Sequence, residues 1–393
     1  MTDPIAPARS ADLAVPVALA PTPAGLLKLS VGNGSPATLP DLTAEAVRAL
    51  GAMREEALQY GPLYGIDALR DGLVRLLAED GVRTARDGII VVNGGKQALE
   101  LVARALLAPG DLVALTAPTF LTAISIFRRE GATFLPIPLD GEGMRVDLLE
   151  AAIVARRAAG LPGPRLVFDM PDFHNPTGVT MSLERRRRLL DLAEAHDFVI
   201  LEDDPYRRIR FEGASLPPIR SLDPTGRRVV GVGTMAKMLA PGLKVGWVDA
   251  DPALVRRIGA LKMDGGSSPL TQRIVADLIA SGRLADITRA ITAEMRAHRD
   301  ALAAGLERHV PALRFRRPAG GYFLWGELPD GMDGDVFADA AARHGVALFS
   351  GVHCFPGEPR RNTLRICYSV CTPAELERAA EALGRAFAQT AAG

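Results

Sequence analysis

Seven short runs rich in β-branched and apolar residues occupy the chain from about residue 88 to 250, and amphipathic helical patterns alternate with them. The runs are Gly88 to Val92, Leu112 to Thr116, Thr133 to Leu139, Arg165 to Met170, Phe198 to Asp203, Arg228 to Gly233 and Lys244 to Val248. Parallel neighbours need a crossover that a helix supplies, so this alternation predicts an α/β fold: a mainly parallel seven-stranded sheet sandwiched by helices. Ligands of such sheets bind beyond the carboxyl ends of the strands. Chemistry is therefore expected in the segments that directly follow the runs: Asn93-Gly94-Gly95, Asp172 to Gly178, Asp203 to Tyr206, and Thr234 to Lys237.

A chain of 393 residues, 48% of them hydrophobic, carries more apolar material than one small core needs, which points to two domains. Beyond about residue 280 the pattern changes. A long helix over Asp286 to His309 is followed by strand-like pieces at Leu313 to Arg316, Gly321 to Glu327 and Leu364 to Ser369, which predicts a smaller α+β domain. The expected organisation is a flexible arm over 1–25, a segment over 26–45 that joins the small domain, a large domain over 46–280 and the small domain over 281–393. The arm is rich in Ala and Pro, and its Asp3, Asp12, Pro16, Pro21 and Pro23 argue against a signal peptide. No stretch approaches the roughly 18 uninterrupted apolar residues of a membrane span.

Lys plus Arg and Asp plus Glu both total 46, which leaves no net field for nucleic acid or an anionic membrane surface. Four consecutive arginines, Arg185 to Arg188, lie on a helical pattern over Leu183 to His196 and read as a solvated face, because no aromatic or further basic clusters accompany them. Cys354, Cys367 and Cys371 fit neither a disulfide framework nor zinc-ligand spacing, and a reducing cytoplasm is the expected compartment.

A lone lysine after a strand is more often a surface group than a reactive one. Lys237, however, stands in Gly233-Thr-Met-Ala-Lys237-Met-Leu-Ala-Pro-Gly-Leu-Lys244-Val-Gly-Trp247, where two strands and a Pro-Gly loop hold its amine at the strand ends. At this segment the chain resembles the class I/II aminotransferases of fold type I, and the resemblance runs from about residue 26 to 390 over several separated motifs. It implies pyridoxal 5'-phosphate (PLP) as cofactor, Lys237 as the lysine that binds it, and a mainly parallel large domain beside a smaller one.

The remaining roles follow from that resemblance. Asp203, in Leu201-Glu-Asp-Asp-Pro-Tyr206, matches the carboxylate beside the pyridine nitrogen, which keeps the ring protonated and electron-accepting. Tyr206 and Asn175, the latter in His174-Asn-Pro-Thr-Gly178, match the two donors to the phenolic oxygen; taken alone, Asn-Pro-Thr-Gly reads as a turn. His174 is read as supporting rather than catalytic, and Glu202, Asp204 and Arg207 as structural. Gly94, Gly95 and Lys96, at the start of an apolar-periodic helix, match the phosphate cradle, joined by Thr234 and Lys244. The family commonly has Ser or Thr where Gly95 stands, Ser at Ala236 and Arg at Lys244; the lysine keeps the charge but loses the bidentate fork. Phe120 matches the ring that stacks on the pyridine. Arg365, in the strand-like Asn362-Thr-Leu-Arg365-Ile-Cys-Tyr-Ser369, matches the arginine that grips the substrate carboxylate; buried there, it requires an anion on any reading. Asn33 and Gly34 resemble the loop that closes over substrate, and Tyr60 the tyrosine that reaches the phosphate of a neighbouring subunit, which implies a homodimer with shared sites.

The expected activity is transfer of an amino group between an L-amino acid and a 2-oxo acid. The same fold also supports elimination or replacement at the β- or γ-carbon, cyclisation or oxidation, and fold does not decide among them. A cofactor-sensing regulator is a third reading, which would need a DNA-binding module that the short Pro-rich arm does not resemble. Near Asn33, Phe120, Ser267 and Ser268 no residue selects one substrate side chain.

Overall fold

All seven runs become strands of one sheet in the computed structural model, which describes residues 24–391. The arm expected over residues 1–25 lies, but for its last two residues, outside the described residues. Across the sheet the order is Ile89–Val92, Gly246–Asp249, Val229–Thr234, Val199–Asp204, Leu166–Asp169, Leu112–Ala117 and Thr133–Asp140, followed by Gly143–Met144. Gly246–Asp249 runs antiparallel to both neighbours, and the strands from Val229–Thr234 to Thr133–Asp140 are mutually parallel. The eighth strand is a two-residue return from Thr133–Asp140, too short for any periodicity to declare. Ile89, Ile90, Val91 and Val92 are all fully buried, as expected of a strand covered by helices on both faces.

A second, four-stranded sheet is antiparallel, in the order Arg314–Phe315, Phe323–Glu327, Thr363–Cys367 and Phe349–Ser350. The long helix Arg283–His309 and the last helix Pro373–Ala391 share its core through Leu302, Leu306, Leu324, Ile366, Leu376 and Leu383. The segment after the arm is stitched to this unit: Leu27–Lys28 pairs in parallel with Val346–Ala347, and the Leu29 carbonyl accepts the Cys367 amide at 2.9 Å. The chain then crosses at Ser30 to Gly34 toward the carboxyl edge of the large sheet, where the site lies.

The four-arginine helix corrects the sequence reading. Leu183–His196 is a helix, but its arginines are not one solvated face. Arg186 is fully buried and donates to Asp172 Oδ2 at 3.0 Å and to the carbonyls of Met181, Pro171 and Pro217. The period of 3.6 residues turns one of four consecutive positions inward, and there Asp172 supplies the charge that a guanidinium needs to be buried at all. Arg185 pairs with Asp140 and Arg188 with Glu150, while Arg187 is exposed. Asp172, itself fully buried, also meets Arg207 at 3.0 Å and Arg210 at 2.8 Å. Arg186→Ala is expected to lower the unfolding free energy by about 3–5 kcal/mol in a denaturant titration, since it breaks a buried ion pair. Arg187→Ala on the same helix should change it by no more than about 0.5 kcal/mol. Equal effects of the two would restore the solvated-face reading.

Candidate active site

The end of the strand Val229–Thr234 sets the position of Lys237. The Thr234 hydroxyl accepts the Ala236 amide at 3.1 Å and starts the single turn Met235–Met238. Gly246, on the returning strand, lies so close to Gly94 that a Cβ there would come within 2.7 Å of the Gly94 carbonyl carbon; only glycine lets the two loops touch. Lys237 Nζ donates to the Gly32 carbonyl at 2.5 Å and stands 5.5 Å from the centroid of the Tyr322 ring, whose hydroxyl donates to the Lys237 carbonyl at 2.9 Å. Burial, helped by the nearby cations Lys96 and Arg365, lowers its ammonium to about 8.

Asp203, Tyr206 and Asn175 come from two neighbouring strand ends. Asp203 is buried on the strand Val199–Asp204; burial and the adjacent Asp204 push its carboxyl up to about 8 against the pull of Lys237. Tyr206 is buried, with its ring 5.5 Å from Tyr322 and 5.9 Å from Phe323, and burial raises its phenol well above the ordinary value. Asn175 is buried, and its side-chain oxygen has no hydrogen-bond partner among the described residues. Next to it, His174 lies 2.8 Å from Thr116 Oγ1 and 3.0 Å from Thr177 Oγ1; burial lowers it to about 3, so it stays neutral. His174 thus ties the Asn175 loop to the strand that leads to Phe120. Glu202 accepts the amides of Ile219 and Arg220, and Asp204 pairs with Arg207, as the structural reading of these residues expects.

Gly94, at φ +90°, precedes the helix Gly95–Leu106, and no side chain caps that helix. Its first-turn amides are therefore available to an anion. Lys244 Nζ would lie 3.9 Å from a Cβ on Gly94, and burial together with Lys244 lowers the Lys96 ammonium. The chain has only five lysines, and three of them, Lys96, Lys237 and Lys244, gather here. Among the described residues the one lysine ion pair is Lys262 with Asp264. Two lysines close enough for one to lower the other, near a helix start and with no ion pair among the described residues, are the features an anion receptor requires.

Arg365 lies in the middle of the strand Thr363–Cys367, only 4% exposed. Its guanidinium carbon is 4.3 Å from the Phe349 ring centroid and 4.8 Å from that of Phe323, and one nitrogen donates to the Ser30 carbonyl at 2.7 Å. Its Nε has no partner, and it forms no ion pair among the described residues. Phe120, partly buried, begins the helix Leu121–Arg129.

Other expected residues sit differently. The Asn33 side chain is exposed, and the residue meets the site through its carbonyl, which accepts the Ser369 hydroxyl; Gly34 has open space where a side chain would be. Tyr60 is 87% exposed and lies beside Gly265 rather than in this chain's own pocket. Ser267 is buried, and its hydroxyl has no partner among the described residues; Ser268 precedes the helix Pro269–Ala280. Tyr322, Phe323, Phe349 and Cys367 were not singled out from the sequence. Gly320-Gly321 just before Tyr322 and Phe323 is the one local signal, for those two residues only: both glycines pack against Phe173 where a Cβ would clash.

The residues fit a phosphorylated pyridine aldehyde. They offer an amine of lowered pKa, a buried carboxyl of raised pKa, a buried amide whose oxygen has no partner among the described residues, a helix start with two lysines beside it, and a buried guanidinium with no carboxylate partner among the described residues. The family model of aminotransferase class I and II matches residues 24–383. The chain is 35% identical over 353 residues to aromatic-amino-acid aminotransferase 1 of Thermococcus litoralis, covering 88% of this chain and 84% of that protein. Among solved structures it is similar to the multiple substrate aminotransferase of Thermococcus profundus, at 34% identity and a TM-score of 0.90, over 94% of this chain and 93% of that one. The α-aminoadipate aminotransferase of Thermus thermophilus, complexed with N-(5'-phosphopyridoxyl)-L-leucine, gives 31% identity and a TM-score of 0.87, with 94% of each chain covered.

The raised Asp203 carboxyl has a testable sign. Its ordinary value is about 4 and its folded value about 8, so the stability it contributes is full below about pH 4 and is lost as pH rises toward 8. Without cofactor, Asp203→Asn should melt higher than the parent at pH 8, and the difference should shrink as pH falls toward 4. A parent that melts as high as the variant at pH 8 would show that this carboxyl ionises without cost.

Proposed function

This chain belongs to the class I and II aminotransferases, and on that premise we propose that it holds PLP at Lys237 and moves an amino group from an L-amino acid to a 2-oxo acid. The observation that carries the proposal is the nearness of Lys237 to Arg365: an amine that burial, with Arg365 among the nearby cations, lowers to about 8, and a buried guanidinium with no carboxylate partner among the described residues. When bound, the cofactor supplies the electron sink for the pair left at the α-carbon.

The chain's own residues do the rest. Asp203 holds a proton on the ring nitrogen, and the charge of that cation in turn favours the ionised carboxylate that burial alone disfavours. Asn175 and Tyr206 donate to the ring oxygen, and Phe120 covers the ring. Gly94, Gly95, Lys96, Thr234 and Lys244 hold the phosphate. Arg365 takes the α-carboxylate with a planar fork, which fixes which α-bond faces the ring; Phe323 and Phe349 hold that fork in plane and exclude water. Lys237, with an amine that is neutral in a sizeable fraction of molecules near pH 8, is the base that takes the proton from the substrate α-carbon. Gly32 to Gly34 cover the substrate side.

The proposed active unit is a pair of chains. Tyr60, Met263, Leu58 and Val47 are 87%, 88%, 62% and 65% exposed, apolar surface that a second copy would cover, and Tyr60 would then reach that copy's phosphate.

Mixing the PLP-loaded protein with single amino acids and no acceptor is expected to yield up to one 2-oxo acid per site, with the cofactor left in its aminated form. Release of ammonia or a β- or γ-leaving group, with the cofactor unchanged, would assign elimination or replacement instead. Arg365→Lys should raise the amino-acid KM by about a hundredfold or more while changing kcat less, since it loses a bidentate, charge-assisted contact to the bound carboxylate.

A further inference from the structure

The phosphate cradle is not held by its own strand and helix alone. Asp264, in the loop between the helices Pro252–Leu261 and Pro269–Ala280, reaches across to it. One carboxylate oxygen accepts Asn93 Nδ2 and Gln97 Nε2, both at 2.9 Å. The other accepts Lys262 Nζ at 2.6 Å and the Gly266 amide at 3.0 Å. Gln97 completes a ring by accepting the Asn93 amide at 2.6 Å through its own oxygen. Asn93 precedes Gly94, and Gln97 sits in the first turn of the helix whose amides face the anion. The two side chains that bracket the cradle thus hang on one oxygen, more than 160 residues away in sequence.

Charge makes the arrangement specific. Lys262 has a side chain with no exposed surface, so Asp264 is the counter-ion that allows it to be buried. Of the chain's five lysines, Lys96, Lys237, Lys244 and Lys262 belong to this part of the fold, and among the described residues Asp264 pairs with Lys262 alone of these. Among the described residues Lys96 and Lys244 form no ion pair, which leaves them for the phosphate on this reading. A residue without a side-chain acceptor at 264 would leave Asn93 and Gln97 without their shared acceptor, and any neutral residue there would leave Lys262 without its counter-ion.

We propose that Asp264 is a positioning residue for the cofactor phosphate: through Asn93 and Gln97 it sets the geometry of the Gly94-Gly95-Lys96 cradle, without touching the cofactor. The proposal rests on the reading of that cradle as the phosphate site. It separates phosphate recognition from ring recognition, which Asp203, Tyr206 and Asn175 carry on other strand ends.

The test compares PLP with pyridoxal, which lacks the phosphate, by equilibrium binding to the full chain and to Asp264→Ala. The parent is expected to prefer PLP strongly. The variant should lose about tenfold or more in affinity for PLP, the scale of one or two lost charge-assisted hydrogen bonds, and keep its pyridoxal affinity within about twofold. Equal losses for both ligands, or no loss for either, would overturn the proposal, since a merely structural role does not distinguish the phosphate. If Asp264→Ala fails to fold, Asp264→Asn decides by the same ratio: an amide that keeps the shape but not the charge should still lower the PLP preference, and an unchanged preference would reject the role. A parent that binds PLP no better than pyridoxal would remove the cradle reading itself, a failure distinguishable from that of Asp264.

Discussion

Arg365 imposes the strongest demand on the structure around it. A guanidinium in the centre of a buried strand, flanked by Phe323 and Phe349 and bonded to the Ser30 carbonyl, has no carboxylate among the described residues. A buried cation of this kind costs several kcal/mol unless an anion arrives to pair with it. The fold meets that cost elsewhere, through two apolar cores and a strand ladder on both sides of Arg365. Asp203 makes the opposite demand, a carboxyl that burial and the adjacent Asp204 push up to about 8 despite the pull of Lys237. Lys96 and Lys244 make a third, two cations that share a helix start. The proposed ligand, which carries a pyridinium, a phosphate and a carboxylate-bearing partner, would relieve all three at once.

The parallel sheet explains why these groups can meet. Neighbouring strands deliver Asn175, Asp203 and Lys237 to one edge, and the antiparallel Gly246–Asp249 brings Lys244 back beside Gly94. The second sheet faces this edge with Arg365, Tyr322 and Phe323. Buried ion pairs brace the loops behind it, with Asp172 holding Arg186, Arg207 and Arg210, so Asn175 and Tyr206 are set by a network that reaches neither of them directly. Pre-organisation of this kind lets a site hold unpaired charge without collapsing around it.

Much of this was legible in the residues, for a physical reason in each case. The seven strands were visible because buried parallel strands are continuous apolar runs bounded by glycine and polar turns, and their ends named the loops that carry Lys237, Asp203 and Asn175. Arg365 stood out because an arginine in an apolar run needs an anion wherever it sits. Long-range pairing was not legible. Arg186 looked like one of four surface arginines, since nothing local indicates that Asp172 waits on the buried side. Tyr322 and Asp264 lie in loops whose roles depend on partners about 85 and 170 residues away. The strand Gly143–Met144 has only two residues in which to show a period.

The most direct measurement is reduction of the PLP-loaded protein with borohydride, followed by peptide mapping of the fixed cofactor. With five lysines in the chain and three of them at this corner, the outcome discriminates sharply. The account predicts fixation at Lys237, the amine lowered by burial beside Asp203 and Arg365. Fixation at Lys96 or Lys244 would contradict it, because those two amines would then be serving as the attachment point rather than as the phosphate receptor.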